Sequence, residues 1–244
     1  MPVPPFQPGW ALFLDVDGTL LDIAERPDEV DTHAVDCELV EGLQRAAGGA
    51  LALISGRSLA QLDEMFAPLK LPAAGQHGFE RRDVRGKRHR HRFVVEMLAP
   101  AKEKLREFAA RHSGLVFEDK GASLALHYRL APPLAGAAHQ VLVEAAAALG
   151  GRVEVQAGKM VWELKPAGAD KGVAIEEFMR EAPFAGRTPV FLGDDVTDEN
   201  GFRVVNRLEG HSIKVGAGDT AARWRLANPS AARAWLRQWL ETRK

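Results

Sequence analysis

Two apolar rhythms alternate along this chain. Trp10-Ala-Leu-Phe-Leu14 is uninterrupted rather than alternating, as in a strand buried on both faces of a parallel sheet. Ala50 to Ile54, Thr188 to Leu192 and Ser212 to Val215 repeat that pattern, and Pro72-Ala-Ala-Gly75 predicts one more short strand. Helical spacing lies between these runs. It covers Val35 to Ala47, with Leu39, Val40 and Leu43 on one stripe and a stop at Gly48-Gly49. It covers Ser58 to Phe66, Val173 to Arg180 and Thr197 to Asn206 as well. A last helix runs from Ser230 to Glu241 with Trp235, Leu236, Trp239 and Leu240 facing inward. Strands alternating with helices at both ends of the chain predict an α/β fold around a parallel sheet.

The middle reads differently. Val94 to Arg111 is helical, interrupted or offset at Pro100. Leu115 to Lys120 and Ser123 to Arg129 are strands with Gly121 in the turn. An Ala-rich helix then runs from Pro133 to Leu149 and stops at Gly150-Gly151. Arg152 to Gln156 and Met160 to Lys165 are two further strands with Gly158 between them. Helix, strand, strand, twice over, describes a small antiparallel sheet with two helices on one face. The expected organisation is a core from residues 1–90 and 167–244, with an inserted α+β unit over residues 91–166.

Composition narrows the class. With 244 residues, 46% of them hydrophobic and 27% charged, the chain suits an ordinary globular protein large enough for a core and a smaller inserted unit. A formal net charge of −1 points to neither nucleic acid nor an anionic membrane. The N-terminal Met1-Pro-Val-Pro-Pro lacks the basic and apolar regions of a signal peptide, and no apolar run suffices to span a bilayer. The single cysteine, Cys37, cannot form an internal disulfide, and a cytoplasmic location is the default. The expected partner is a small molecule, and a monomer is the default assembly.

The chemistry concentrates at strand ends. Asp15-Val-Asp17-Gly-Thr-Leu20 follows the first apolar run, and ligands of open α/β sheets collect at such carboxyl ends. One carboxylate there can attack phosphorus and a second can protonate the leaving oxygen and then activate water. An Asx-rich turn after a buried strand is the bland alternative. Gly193-Asp194-Asp195-Val-Thr197-Asp198-Glu199 follows another buried strand. Carboxylates from both segments at one sheet edge repel and raise one another's pKa, which a hard cation bound by oxygen ligands relieves. Either Asp195 or Asp198 can also cap the next helix. The turn Ser55-Gly56-Arg57 offers a hydroxyl and free backbone N–H groups to phosphate oxygens, although Ser-Gly-Arg is also an ordinary strand-to-helix turn. Lys171 opens a helix, where its charge opposes the macrodipole.

Asp15-x-Asp17-Gly-Thr, Ser55, Lys171 and Gly193-Asp194-Asp195 stand in the order of the four motifs of the haloacid dehalogenase superfamily, which the chain resembles. Aspartate at the second acidic position resembles its phosphatases and phosphomutases, and the insertion looks like a C2B cap. The resemblance implies a Rossmann-like core with an αββαββ cap. Longer stretches resemble the trehalose-6-phosphate phosphatase family over nearly the whole chain. They are Gln76-His77-Gly78-Phe79-Glu80, Glu118-Asp-Lys120-Gly-Ala-Ser123-Leu-Ala-Leu-His127-Tyr-Arg129 and Gly158-Lys159-Met-Val-Trp-Glu163-Leu-Lys-Pro. The resemblance implies Asp15 as nucleophile and Asp17 as general acid/base. It implies Mg²⁺ held by Asp15, the backbone carbonyl of Asp17 and Asp194, with Asp195 and Asp198 supporting. Ser55 and Lys171 would bind the phosphoryl group, aided by Gly56 and Arg57. Glu118, Lys120, Lys159 and Glu163 would bind sugar hydroxyls. Trehalose 6-phosphate is then the expected substrate. Another sugar-phosphate phosphatase or phosphomutase with this cap, and an inactive sugar-phosphate sensor, are the alternatives.

Strand alternation supports the cap assignment independently. Glu118 and Lys120 point away from Leu115 and Phe117, and Lys159 and Glu163 away from Met160, Trp162 and Leu164. The polar face is expected to be open and charged, as one face of an antiparallel sheet often is. Arg81 to Arg92 is strongly basic and reads as an exposed hairpin or linker rather than a nucleic-acid site. His77, flanked by Gly75 and Gly78, either touches substrate or shapes a turn, and His89, His91 and His112 lack metal-ligand spacing.

Overall fold

The computed structural model describes residues 3–22, 36–91 and 95–241. Val35, Arg92 and Val94, which the sequence places in helical or basic segments, lie outside them, as does the very start of the leader. The chain forms two compact units. One is built from Met1–Arg90 with Asp170–Lys244, the other from His91–Ala169. The second unit therefore ends at Ala169 rather than at residue 166.

The first unit holds β1 (Trp10–Leu14), α1 (Cys37–Ala46), β2 (Leu51–Ile54), α2 (Leu59–Met65), β3 (Ala73–Gly75), β4 (Glu80–Arg82) and β5 (Arg88–Arg90). In the second unit lie α3 (Ala99–Arg111), β6 (Val116–Asp119), β7 (Leu124–His127), α4 (Ala135–Ala148), β8 (Val153–Gly158) and β9 (Val161–Pro166). The chain then returns to the first unit with α5 (Lys171–Met179), β10 (Thr188–Gly193), α6 (Glu199–Arg207), β11 (His211–Val215), β12 (Trp224–Leu226) and α7 (Pro229–Glu241).

The larger sheet runs β12-β11-β10-β1-β2-β3-β4-β5. It is parallel from β12 to β3, and β4 and β5 add antiparallel at its end. The uninterrupted apolar runs are its central strands. Every residue of β1 and β2 is buried, because helices cover both faces of a parallel sheet. Side chains close the helix starts: Asp36 accepts from the Leu39 amide at 2.9 Å, and Ser58 forms a capping box with Gln61.

Two features depart from the sequence reading. The basic segment does form a hairpin, β4 with β5, but its first strand is buried. Arg81 ion-pairs with Glu177 at 2.9 Å and Glu181 at 2.7 Å, and its guanidinium lies 4.8 Å from the centre of the Phe178 ring. Arg82 pairs with Asp63 and donates to the Leu71 carbonyl. Both arginines are thereby internal counter-charges. The other departure is β12, a short strand that no apolar run announces.

The smaller sheet runs β6-β7-β9-β8, antiparallel throughout. Leu105 of α3 and Val141, Leu142 and Ala145 of α4 pack on Leu124, Leu126, Val153 and Leu164. Pro100 sits in the first turn of α3, where a missing N–H leaves no bond unmade. The opposite face carries Glu118, His127 and Glu163. It is less open than expected, since Glu163 and Lys165 are both buried, with Lys120 and Glu154 as their ion-pair partners. Lys159 falls in the β8–β9 turn beside Met160, which has φ 60°, so strand alternation does not set its direction.

Candidate active site

Three neighbouring parallel strands deliver the acidic and hydroxyl groups to one edge of the larger sheet. Asp15 lies one step beyond β1, and its amide still bonds the Leu192 carbonyl of β10 at 3.0 Å. Ser55 lies one step beyond β2, tied by its amide to Ala74 at 2.9 Å. Asp194 directly follows β10. These groups are therefore held by the sheet ladder rather than by free loops.

Lys171 arrives from a helix start. Asp170 caps α5 by accepting from the Val173 amide at 2.9 Å, which puts Lys171 in the first turn. The helix dipole disfavours a cation there, and two carboxylates reverse that balance. The Lys171 ammonium bonds Asp15 Oδ1 at 2.7 Å and Asp198 Oδ1 at 2.6 Å, and all three side chains are at least 95% removed from water. Burial opposes the lysine's charge, but Asp15 and Asp198 push its pKa well above the ordinary value. For Asp15 the balance runs the other way. Burial raises its pKa most, Lys171 counteracts, and Asp198 and Asp194 raise it further, so the carboxyl stands well above its usual range.

Carboxylate oxygens of Asp15, Asp194 and Asp198 all lie within 4.8 Å of one another. Carboxylates crowded this closely repel, and an oxygen-only donor set suits a hard divalent cation. The backbone makes room for these carboxylates. Gly18 has φ +83°, and a Cβ there would stand 2.1 Å from Asp194 Oδ2. At Gly193 a Cβ would meet Asp198 Cγ at 2.3 Å. The residues present thus fit a divalent metal ion.

The remaining expected groups separate by task. Asp198 accepts from the amides of Asp194 and Asp195 at 3.0 and 2.9 Å, so it orders that turn as well as holding Lys171. Asp195 caps the following single turn, Val196–Asp198, through its Oδ1, and its side chain stands outside the carboxylate cluster. Asp17 also stands outside it, because both its oxygens accept from Arg57 at 2.7 Å. Ser55 Oγ accepts from the Arg57 amide at 3.2 Å, which leaves its hydroxyl proton to donate elsewhere.

Among the supporting residues, Lys214, Gln76 and Glu80 are given no role by the sequence, whereas His77 is expected to touch substrate or shape a turn. Lys214 of β11 is buried and donates to the Asp194 carbonyl, and a lone cation inside an apolar strand was its only signal. Gln76 and His77 donate their amides to the carbonyls of Arg57 and Ser55 at 2.9 and 3.0 Å, bracing the turn beside Gly56. Glu80 accepts from the Leu59 amide at 2.7 Å and fixes the start of α2. In the second unit, Lys120 reaches Glu163 at 3.1 Å, while Glu118 pairs with His127 at 2.8 Å.

Comparison with known proteins gives one consistent result. A family model described as trehalose-phosphatase matches residues 13–230. A trehalose-6-phosphate phosphatase of Escherichia coli is 46% identical over 230 residues, covering 93% of this chain and 85% of that protein. A probable trehalose-phosphate phosphatase of Sinorhizobium fredii is 45% identical over 222 residues, covering 91% and 83%. Among solved structures, the C-terminal domain of Candida albicans trehalose-6-phosphate phosphatase superposes with a TM-score of 0.84 at 21% identity, over 96% of this chain and 93% of that one. At that identity the likeness speaks for the fold. Among the described residues no helix is long and apolar enough to cross a membrane.

Proposed function

This chain belongs to the trehalose-phosphatase family, and on that premise we propose that it hydrolyses trehalose 6-phosphate to trehalose and phosphate through a phosphoaspartate at Asp15. The observation that carries this reading is the buried contact of Asp15 with Lys171 at the carboxyl end of β1, with Asp194 alongside.

In the first step Asp15 attacks phosphorus, and the bond from phosphorus to the sugar oxygen breaks. Asp17 gives that oxygen its proton. Ser55 and the backbone amides around Gly56 hold the phosphate oxygens, and Arg57 and Lys171 supply positive charge. In the second step Asp17 takes a proton from water as the water oxygen attacks the phosphoaspartate. Asp15 returns as a carboxylate, inorganic phosphate leaves, and Asp17 is again protonated. A Mg²⁺ ion at Asp15, the Asp17 carbonyl and Asp194 would neutralise phosphate charge. Asp198 holds Lys171 and the Asp194 turn rigid for this. Glu118, Lys120, Lys159 and Glu163 bind the hydroxyls of the sugar, whose mixed donors and acceptors suit groups of both signs. The charged substrate and the single cysteine fit a cytoplasmic protein.

The test is phosphate release from a panel of sugar phosphates with Mg²⁺, run for the native chain and for Asp15→Asn. Trehalose 6-phosphate should lead the panel. The variant should lose more than about a thousandfold in kcat, and a chelator should stop the native reaction until Mg²⁺ is restored. A clear preference for another sugar phosphate overturns the substrate, substantial turnover by the variant overturns the nucleophile, and binding without turnover leaves a sensor.

A further inference from the structure

His127 belongs to no step described so far, yet it sits on the one face of the smaller sheet where charged groups converge. Pairing register places it there. Val116 faces His127 and Glu118 faces Ala125 across β6 and β7, while Ala125 faces Glu163 across β7 and β9. Glu118 and Glu163 therefore flank Ala125 from its two sides, and the alanine puts only a methyl group between them. Each carboxylate has its own partner. Lys120 reaches Glu163 at 3.1 Å, and His127 Nε2 meets Glu118 Oε2 at 2.8 Å along the diagonal of the β6–β7 pair.

The two partners differ in kind. Lys120 hangs on a flexible stem just past β6. His127 is a rigid ring on a central strand, and its Nε2 is committed to Glu118. Burial works to raise the Glu118 pKa, but the His127 hydrogen bond and the nearby Lys120 together bring it below the usual range. The imidazole therefore holds Glu118 as a carboxylate in one orientation. A fixed acceptor discriminates among hydroxyl arrangements, whereas a mobile one accepts many.

We infer that His127 is a positioning residue for substrate selection: it fixes Glu118 so that the carboxylate presents a set acceptor to a ring hydroxyl, over a floor kept open by Ala125. This rests on the assignment of Glu118 to the sugar made above. It adds a determinant that selects the polyol and takes no part in phosphoryl transfer.

The experiment is steady-state kinetics with Mg²⁺ for the native chain, His127→Ala, His127→Gln and Glu118→Gln, on trehalose 6-phosphate and on p-nitrophenyl phosphate, which has no sugar. His127→Ala should raise KM for trehalose 6-phosphate about tenfold, the equivalent of one charge-assisted hydrogen bond, with kcat little changed. His127→Gln, whose amide can still donate to Glu118, should recover most of that loss. The aryl phosphate should show no such split. If His127→Ala leaves the sugar KM unchanged while Glu118→Gln raises it, the inference falls and the sugar assignment stands. If Glu118→Gln also changes nothing, both fall. Equal losses on the two substrates reduce His127 to a packing residue and overturn the inference.

Discussion

Asp17 and Arg57 face each other as a two-pronged ion pair, with Nε and one terminal nitrogen of Arg57 each 2.7 Å from a different oxygen of Asp17. An acid that must reach a leaving oxygen has to exchange this partner for the substrate. The two side chains should then act as one unit. A double-mutant cycle of Asp17→Asn and Arg57→Gln on kcat/KM should depart from additivity by about 1–3 kcal/mol. Additive losses would separate the acid from the guanidinium.

Asp15 carries a cost in the folded protein, because its charged form is disfavoured by burial and by Asp198 and Asp194. Asp15→Asn removes that charge and leaves Lys171 paired with Asp198. Without divalent metal the variant should melt higher than the native chain, by roughly 2–4 °C for each kcal/mol recovered. Added Mg²⁺ should raise the melting temperature of the native chain and do little for the variant. Thermal denaturation with and without the ion checks both statements.

Gly18 leaves the space that Asp194 fills. In Gly18→Ala the new methyl collides with the Asp194 carboxylate and the left-handed backbone is strained as well. The expected outcome is a folded protein whose half-saturating Mg²⁺ concentration rises by at least about tenfold, a little over 1 kcal/mol of lost cation binding. Activity titrated against Mg²⁺ measures it. An unchanged midpoint would remove Asp194 from the cation site.

Arg81 is buried against Phe178 and bridges Glu177 and Glu181. Arg81→Met should destabilise by about 2 kcal/mol, less than the about 3–5 kcal/mol for a fully buried pair because both glutamates reach water. The arginine's hydrogen bond, against a smaller effect of burial, holds the Glu181 pKa below the ordinary 4.5. The unfolded chain therefore takes up that proton first. The associated stability is complete above about pH 4.5 and is lost as pH falls through the lower folded value. Urea unfolding across pH 3–6 should show a shallower acid dependence in the variant.

Much of the site could be read from the chain because it is built from local signals. A buried parallel strand is apolar at every position, and a carboxylate just past its end has little to do in packing alone. Asp15 and Asp194 fit that description, and the Ser55 hydroxyl stands at the same kind of strand end. What escaped notice depends on partners far apart in sequence. Arg81 and Arg82 look solvated until Glu177, Glu181 and Asp63 are brought beside them, and Arg57 meets Asp17 across 40 positions. A histidine on a strand says nothing of the glutamate diagonal to it. β12, Trp224-Arg225-Leu226, lies at the sheet edge, and its three residues are too few to announce a strand. Strand alternation does not set the direction of Lys159, because Met160 adopts a left-handed backbone and turns the chain there.

The centre of the larger sheet joins β1 to β10, so Trp10 pairs with Thr188 and Leu14 with Leu192. Synthesis runs from the N-terminus, and for most of that time β1 has no partner on this flank. The inserted unit, contiguous from His91 to Ala169, can finish its own core meanwhile. A half-made first unit therefore shows the ribosome's surroundings an apolar, unpaired strand edge, the kind of template that invites aggregation. The two halves of the active site meet only when that edge is closed. Enzymatic competence waits on β10, and a chain released before Gly193 is born without it.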